Sequence, residues 1–207
     1  MADKKEKGKK MKRFITFEGI DGSGKSTIIN QVYNHLKKQD YSVIKTFEPT
    51  DTWLGHCVQT CIESNTDPFV TAFTFIADRI QHGKQIKKWL KDKDTLVLCD
   101  RYAESTYAYQ GAQLQNLIDR PIHWLQDLSK DKILLPDRTF VFMIDPKTAI
   151  QRIQDRNHLI PFEKVAFLEK VQKNYEQLAK GDRFKQIDAT ATIEQITEIC
   201  LNDILNH

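Results

Sequence analysis

The chain has 207 residues, of which 40% are apolar and 29% charged, and its formal net charge is +3. This length and balance are typical of one globular domain in water. No apolar run approaches the ~20 residues of a membrane-spanning helix. No apolar segment followed by a small-residue cleavage site suggests a secretory signal. We therefore expect a cytoplasmic protein that does not associate with membranes.

The positive charge is concentrated at the N-terminus. The first thirteen residues, MADKKEKGKKMKR, contain seven of the 31 basic and two of the 28 acidic residues, which leaves 24 basic and 26 acidic residues for the rest. This pattern indicates a basic disordered tail over residues 1–12 and not a nucleic-acid-binding surface. We expect residues 13–207 to form a single domain that binds no nucleic acid.

Four cysteines are scattered along the chain, at Cys57, Cys61, Cys99 and Cys200, without a C-x-x-C pair. Cys57 and Cys61 lie one helical turn apart, but a metal site there would need a further ligand from a distant segment. We therefore expect reduced, buried thiols, as in most cytosolic proteins.

Short apolar segments alternate with longer amphipathic segments along the chain. We predict strands at Phe14–Glu18, Ser42–Thr46, Thr95–Asp100, Thr139–Asp145 and Phe184–Asp188. We predict helices at Lys25–Lys38, Trp53–Glu63, Pro68–Lys91, Ile118–Lys130, Pro146–Arg156, Phe162–Lys180 and Thr192–Leu205. Strands that alternate with helices form a parallel sheet covered on both faces. Because active sites in such sheets lie beyond the carboxyl ends of the strands, we expect the five strand ends to share one functional edge.

The first predicted strand leads into a phosphate-binding pattern, Gly19-x-x-x-x-Gly24-Lys25-Ser26. Glycines allow successive backbone N–H groups to turn toward the β- and γ-phosphates, beside the positive end of a helix. Lys25 would contact the phosphates, and the Ser26 hydroxyl would ligate Mg²⁺. The predicted triphosphate-binding residues are Gly19, Ile20, Asp21, Gly22, Ser23, Gly24, Lys25, Ser26 and Thr27.

Two aspartates accompany this loop. Asp21 would repel a triphosphate, so we expect it to face a second substrate or water bound to Mg²⁺. Asp100 ends the apolar run LVLCD, where a Walker-B aspartate would hold the metal through water. Ser26 and Asp100 are therefore the predicted metal-binding residues.

The residue after Asp100 helps to separate two classes of phosphate-loop protein. A GTPase would need a guanine-binding N-K-x-D segment, which does not occur in the sequence. Arg101 instead adds a second cation beside the metal, well suited to a phosphoryl acceptor that is itself an anion. A small-molecule kinase therefore fits the sequence best.

The segment PFVTAFTFIADRIQHG predicts an amphipathic helix. Its predicted core stripe consists of Phe69, Phe73, Ile76 and Ile80. Phe75 and Arg79 lie one turn apart on a shared flank of that stripe. An aromatic ring and an arginine in this arrangement can hold a flat ring that carries hydrogen-bond acceptors. The alternative interpretation is that Phe75 only widens the apolar stripe.

Taken together, the chain resembles thymidylate kinases, members of the nucleoside-monophosphate kinase group. The motifs FITFEGIDGSGKST, FEPT, FIADRIQH, CDRYAESTYAYQG and IDAT occur in the family's order and spacing. The resemblance extends from Phe14 to the C-terminus, and DRYAESTYAYQG is its most specific part. It implies a three-layer α/β P-loop fold with a five-stranded parallel sheet, helices on both faces and a small mobile lid at about 152–163. It also implies a homodimer.

The resemblance implies particular contacts with thymidine 5′-monophosphate (dTMP). Phe75 would stack on thymine and Arg79 would donate to its O4 atom. Arg101 would grip the phosphate of dTMP, while Asp100 and Asp21 would serve the metal and the sugar side.

The same motif implies a wall around the sugar. Ser105 and Thr106 would lie near the base and the phosphate. Tyr109 would close against C2′ and leave no room for a ribose hydroxyl, and Gln110 would support that wall. For Tyr107 we favour ordinary helix packing.

Two positions depart from the family pattern. Phe47 precedes Glu48-Pro49 where a basic residue is common. Gly22 stands where one subgroup has a catalytic arginine within the phosphate loop. The remaining candidates lie in the predicted lid, RIQDRNHLIPFE. They are Arg152 and Arg156, of which we favour Arg156 by elimination.

The resemblance thus predicts a kinase that transfers the γ-phosphoryl group of MgATP to dTMP, with Lys25, Arg101, Asp21 and a lid arginine as catalytic residues. Two alternatives stay open. One is a kinase of the same fold that acts on a different nucleotide or a small alcohol. The other is a non-catalytic nucleotide-binding switch.

Overall fold

The computed structural model describes residues 12–154 and 162–205. Their strands are β1 (Phe14–Gly19), β2 (Ser42–Phe47), β3 (Thr95–Asp100), β4 (Arg138–Met143) and β5 (Phe184–Asp188). Their helices are α1 (Lys25–Lys38), α2 (Trp53–Glu63), α3 (Pro68–Trp89), α4 (Ala103–Leu114), α5 (Pro121–Ser129), α6 (Pro146–Gln154), α7 (Phe162–Leu178) and α8 (Ile193–Leu205). No helix in this part of the chain is long and apolar enough to cross a membrane.

The five strands form one parallel sheet in the order β2-β3-β1-β4-β5. Helices α1 and α8 pack together, while α4 packs against α3, α5 and α7. The predicted α/β fold, with a five-stranded parallel sheet between helices, is confirmed. All strands run the same way, so their carboxyl ends meet at one edge. The register places Asp100 opposite Phe17 and Phe47, close to the start of the phosphate loop.

The termini of the predicted elements differ in places for local reasons. The fourth strand ends at Met143 and not at Asp145, because the Asp145 carboxylate accepts the Thr148 backbone N–H at 3.0 Å and so caps α6. The fifth helix begins at Pro121 and not at Ile118. Arg120 directly before it has a left-handed backbone (φ 47°), and proline is well suited to the first helical position.

One helix, α4, is absent from the elements predicted by the sequence. Its residues, AESTYAYQGAQL, show no clear apolar stripe because ten of the twelve are buried. A helix enclosed on nearly all sides does not display the one-sided pattern that reveals a surface helix. The segment holding much of the family's most specific motif is therefore an interior helix.

The buried face of α3 differs from the prediction. Phe73 is 51% exposed, and its ring meets Trp124 of α5 edge-on at 5.8 Å. Ile76 is buried as predicted, but the buried face also contains Asp78 and Arg79. The stripe of phenylalanines was the wrong choice of core face, because ion-paired polar side chains occupy the interior instead.

The cysteine expectation is partly wrong. Cys99 and Cys200 are buried, whereas Cys57 is exposed and Cys61 lies between these extremes. The four cysteines are free thiols. Lys12, at the end of the predicted tail, donates from Nζ to Asp203 of α8 at 2.7 Å, while residues 1–11 lie outside the described part of the chain.

Candidate active site

The phosphate loop connects β1 to α1 at the carboxyl edge of the sheet. Gly24 caps α1 with a left-handed backbone (φ 87°), and no side chain accepts a hydrogen bond from the first turn. That turn also contains no acidic residue. Its free N–H groups and the positive end of the helix are therefore available to an anion.

Lys25 lies beneath this loop and is only 5% exposed. Its Nζ donates to the carbonyl of Ile20 at 2.9 Å and to the Ser23 hydroxyl at 3.4 Å. Burial lowers the pKa of Lys25 to about 7, and the nearby charge of Arg101 lowers it further. A bound phosphate would supply the missing negative charge and keep this amine protonated.

Ser26 and Asp100 meet at the mouth of the loop, as the predicted metal site requires. The Ser26 hydroxyl donates to Asp100 Oδ2 at 2.7 Å. A hydroxyl and a carboxylate at the carboxyl edge of the sheet are the oxygen ligands that Mg²⁺ prefers, directly or through water. The residues present therefore fit this ion.

Arg101 has an unusual backbone conformation beside the loop, with φ 66°. Its Nη1 donates to the Gly19 carbonyl at 3.2 Å and to the Ser105 hydroxyl at 3.0 Å. Its Nη2 pairs with the Asp21 carboxylate. Left-handed backbone in a residue other than glycine costs energy and is frequent at functional sites.

Asp21 points away from the centre of the phosphate loop, toward Arg101 and Tyr109. The Tyr109 hydroxyl accepts the Asp21 backbone N–H at 3.2 Å and lies 3.4 Å from its carboxylate. Burial would raise the pKa of Asp21, but the charges of Arg101 and Lys25 outweigh it and lower the pKa below its usual value. Asp21 therefore stays ionised and belongs to a second compartment.

Arg79 anchors the floor of that compartment and is fully buried. Its Nη2 is 2.7 Å from Glu48 Oε2 and donates to the Tyr102 carbonyl at 2.9 Å. The other Glu48 oxygen lies 2.9 Å from His82 Nδ1, and Thr46 meets His82 Nε2 at 2.8 Å. Desolvation opposes the charge of Arg79, but Glu48 holds its pKa above the ordinary value.

Several polar atoms near this floor are buried without a partner. They include Arg79 Nη1, Thr106 Oγ1 and Gln110 Oε1. An unpaired buried polar atom costs about 1–3 kcal/mol, and such atoms are uncommon in folded proteins. These three belong to residues that the sequence assigned to the second substrate, which indicates a ligand that completes their hydrogen bonds.

A cleft of about 820 Å³ runs along the phosphate loop. Asp100, Arg101 and Glu48 line it, and Ala189, Ala191 and Ile193 line it as well. The last three residues follow β5 and were not assigned to the site from the sequence. Their small or apolar side chains suit the nucleoside part of a triphosphate.

The two candidate lid arginines have different outcomes. Arg152 lines the cleft, and its Nη1 donates to the Ala189 carbonyl at 2.9 Å. Arg156 lies outside the described residues. Gly22 has φ +83°, and a Cβ there would lie 2.2 Å from the Ala149 carbonyl oxygen of α6. The packing of α6 therefore excludes an arginine at position 22.

Sequence reasoning missed several polar residues of the site: Glu18, Glu48, His82 and Tyr175. Glu18 accepts hydrogen bonds from Tyr102 and Ser105 of the DRY segment and from Tyr175. One signal was available, because a glutamate inside the apolar strand FITFEG is uncommon unless it is paired. Tyr175 had no such signal, since it lies within an ordinary amphipathic helix.

The parallel fold, the phosphate loop and the adjoining polar compartment define a P-loop protein of the nucleotide-kinase class. A family model described as thymidylate kinase matches residues 17–199. The chain belongs to the thymidylate kinase family.

Curated relatives cover almost the whole chain. A probable thymidylate kinase of Methanosarcina acetivorans is 38% identical over 198 residues, which cover 94% of this chain and 96% of the relative. A probable thymidylate kinase of Methanosarcina barkeri is 37% identical over 93% of this chain and 96% of its own. One of Natronomonas pharaonis is 35% identical over 92% and 96% respectively.

Proposed function

We propose that the protein transfers the γ-phosphoryl group of MgATP to dTMP, giving ADP and dTDP, as a step in dTTP synthesis. The observation that carries this proposal is the group of three unpaired buried atoms, on Arg79, Thr106 and Gln110, next to a phosphate loop. A phosphate loop alone would fit any nucleotide-binding protein. The additional unsatisfied pocket supports a second substrate with its own hydrogen-bonding groups.

In the proposed reaction, an oxygen of the dTMP phosphate attacks the γ-phosphorus while the bond to the β–γ bridging oxygen breaks. The loop from Gly19 to Thr27 would cradle the ATP phosphates, and Lys25 would neutralise charge on them. Ser26 and Asp100 would hold Mg²⁺, which spreads positive charge over the phosphoryl oxygens when bound. Catalysis is then mainly positioning and electrostatic stabilisation.

The acceptor would occupy the compartment around Arg79. Phe75, which is partly buried, would stack on thymine, and the unpaired Nη1 of Arg79 would donate to O4. Thr106 and Gln110 would satisfy their free oxygens on the base side, with Ser105 nearby. These contacts would select a pyrimidine with an acceptor at position 4, since each unpaired donor left behind by a wrong base costs free energy.

Arg101 would bind the phosphate of dTMP. In the present structure it pairs with Asp21, so the incoming phosphate would share the guanidinium with that carboxylate. Asp21 and Tyr109 would then face the deoxyribose. A lid arginine, Arg156 or Arg152, would complete the positive field. The contact of Arg152 with Ala189 favours Arg156 for the phosphates.

We further propose that the protein is a cytoplasmic homodimer. Ile62, Val70 and Phe73 are 50%, 49% and 51% exposed on the contacting helices α2 and α3. A set of large apolar side chains on one pair of helices favours an interface. Phe73→Lys should therefore give a monomer in analytical ultracentrifugation, while Leu135→Lys, at another exposed apolar residue, should leave a dimer. A monomeric wild type would refute this part.

An ADP-release assay tests the activity. The acceptors are dTMP, dUMP, dCMP, dGMP and AMP, with a blank that contains no acceptor. We expect the fastest release with dTMP and a slower but measurable release with dUMP, because one methyl group is worth only ~1–3 kcal/mol. Preference for another acceptor would indicate a different kinase. ATP binding without release for any acceptor would indicate a non-catalytic switch.

A further inference from the structure

Glu18 is a fully buried carboxylate near the end of β1. Its Oε1 accepts the backbone N–H of Tyr102 at 2.7 Å. Its Oε2 accepts the hydroxyls of Ser105 at 2.6 Å and Tyr175 at 3.2 Å. Two of these three donors belong to the segment that directly follows Arg101, and none of them belongs to the phosphate loop.

These bonds surround a strained residue. Arg101 has φ 66°, and the next backbone N–H is the one that Glu18 accepts. The side chain of Arg101 is linked to Glu18 as well, because its Nη1 donates to the Ser105 hydroxyl at 3.0 Å and Ser105 donates to Glu18. The carboxylate therefore constrains both the backbone and the guanidinium of Arg101.

Glu18 is an expensive way to achieve stability alone. Burial, followed by the charge of Glu104, raises the pKa of Glu18 to about 7. Among residues 12–154 and 162–205, no basic group forms an ion pair with Glu18 within 4.0 Å, whereas the equally buried Glu104 pairs with Arg183. A buried carboxylate without an ion-pair partner is usually unfavourable, so its donors to the DRY segment call for a functional explanation.

We propose that Glu18 is a positioning residue that holds Arg101 in its left-handed conformation, with the guanidinium aimed at the phosphate of the acceptor. This inference rests on the proposed function. It assigns a role to a residue that touches neither nucleotide but fixes the group that binds one of them. The expected consequence is that loss of Glu18 weakens use of the acceptor and leaves the binding of ATP nearly unchanged.

The test compares Glu18→Gln with the matched control Glu104→Gln. Both changes replace a buried carboxylate by an amide of the same size, and Glu104 makes no contact with Arg101. For Glu18→Gln we expect kcat/KM for dTMP to fall by about 10- to 100-fold, the range for losing a hydrogen bond to a charged group. We expect KM for ATP to stay within about twofold. Glu104→Gln should change both parameters less than about threefold.

Thermal unfolding of the same variants separates positioning from general damage. Glu18→Gln should unfold at the same or a higher temperature than wild type at pH 8, because a neutral side chain is easier to bury. Lower activity in an undamaged fold supports the inference. Near-wild-type use of dTMP by Glu18→Gln overturns it, as does an equal fall in both substrates' kcat/KM.

A second variant guards against misfolding. Glu18→Asp keeps the charge but shortens the side chain, so it should also reduce kcat/KM for dTMP by about tenfold. An unimpaired Glu18→Asp enzyme counts against the inference. If wild type itself transfers phosphate to none of the monophosphates, the proposed function fails and this role falls with it. That result is distinct from an active wild type with active variants.

Discussion

The two halves of the cleft bind by different means. The phosphate loop uses backbone N–H groups of consecutive residues and one buried lysine, whereas the acceptor compartment uses side chains from β1, β2, α3, α4 and α7. Backbone donors contact only phosphate, which every nucleoside triphosphate shares. The side chains of the second compartment instead form a buried network, Arg79–Glu48–His82, that can distinguish one base from another.

This difference has an experimental consequence. Changes on the donor side should slow transfer to every acceptor alike, since all acceptors share the same γ-phosphoryl group. Changes on the acceptor side should alter the relative rates for different acceptors. Four predictions follow this division, in order of decreasing effect.

Lys25→Ala should have the largest effect. The amine is buried under the loop, and no nearby lysine can replace its charge on the transferred group. We expect kcat/KM for dTMP and for dUMP to fall together by about a thousandfold or more. The measurement is steady-state ADP release with both acceptors. A variant that discriminates more strongly between dTMP and dUMP than wild type would contradict the division between the two halves.

Tyr109→Ala should change selectivity more than rate. Its ring lies 5.3 Å from the Arg101 guanidinium and also faces Asp21, so it is placed to exclude a 2′-hydroxyl. We expect the activity ratio of thymidine ribonucleotide to dTMP to rise about tenfold or more. Parallel assays of the two acceptors measure this ratio. An unchanged ratio would refute the sugar-wall role, and Tyr107→Phe in the same helix serves as the control.

Thr106→Val should separate binding from stability. The hydroxyl of Thr106 is buried and unpaired in the ligand-free protein, so replacing it by a methyl group removes an unsatisfied atom. We expect the free energy of unfolding to stay equal or rise by about 1 kcal/mol, while KM for dTMP rises about fivefold. Urea unfolding and steady-state kinetics give the two values. A large loss of stability would show that Thr106 has a structural partner instead.

Glu18 should give the smallest effect, seen in stability against pH. Burial and the charge of Glu104 raise its pKa from 4.5 to about 7, despite opposing contributions from Arg101 and the hydrogen bonds of Ser105 and Tyr102. The unfolded chain releases this proton near pH 4.5 but the folded protein keeps it to about pH 7. The stability that the proton contributes is therefore lost as pH rises through 7.

Glu18→Gln does not titrate, so its stability relative to wild type should increase by about 1–3 kcal/mol between pH 5 and pH 8. Urea unfolding of both proteins at several pH values measures this difference. Parallel stability curves over that range would mean that Glu18 ionises normally in the folded protein.

How far the sequence led can be judged from particular residues. The phosphate loop and the five strands followed from contiguous patterns, and the loop residues lie where the motif requires. Arg79 was singled out correctly as an unusual helix residue, but its place on a flank of α3 was wrong. It is fully buried, because Glu48, which is 31 positions away, neutralises it.

The sequence by itself determined the parallel sheet, the phosphate loop and the family, because each depends on local periodicity or on residues adjacent in the chain. Tertiary structure decided the burial of α4, the partner of Arg79 and the position of Glu18. The Tyr175 hydroxyl reaches Glu18 across 157 positions of sequence. Contacts of this kind depend on how the elements pack in space, and short-range patterns do not contain that information.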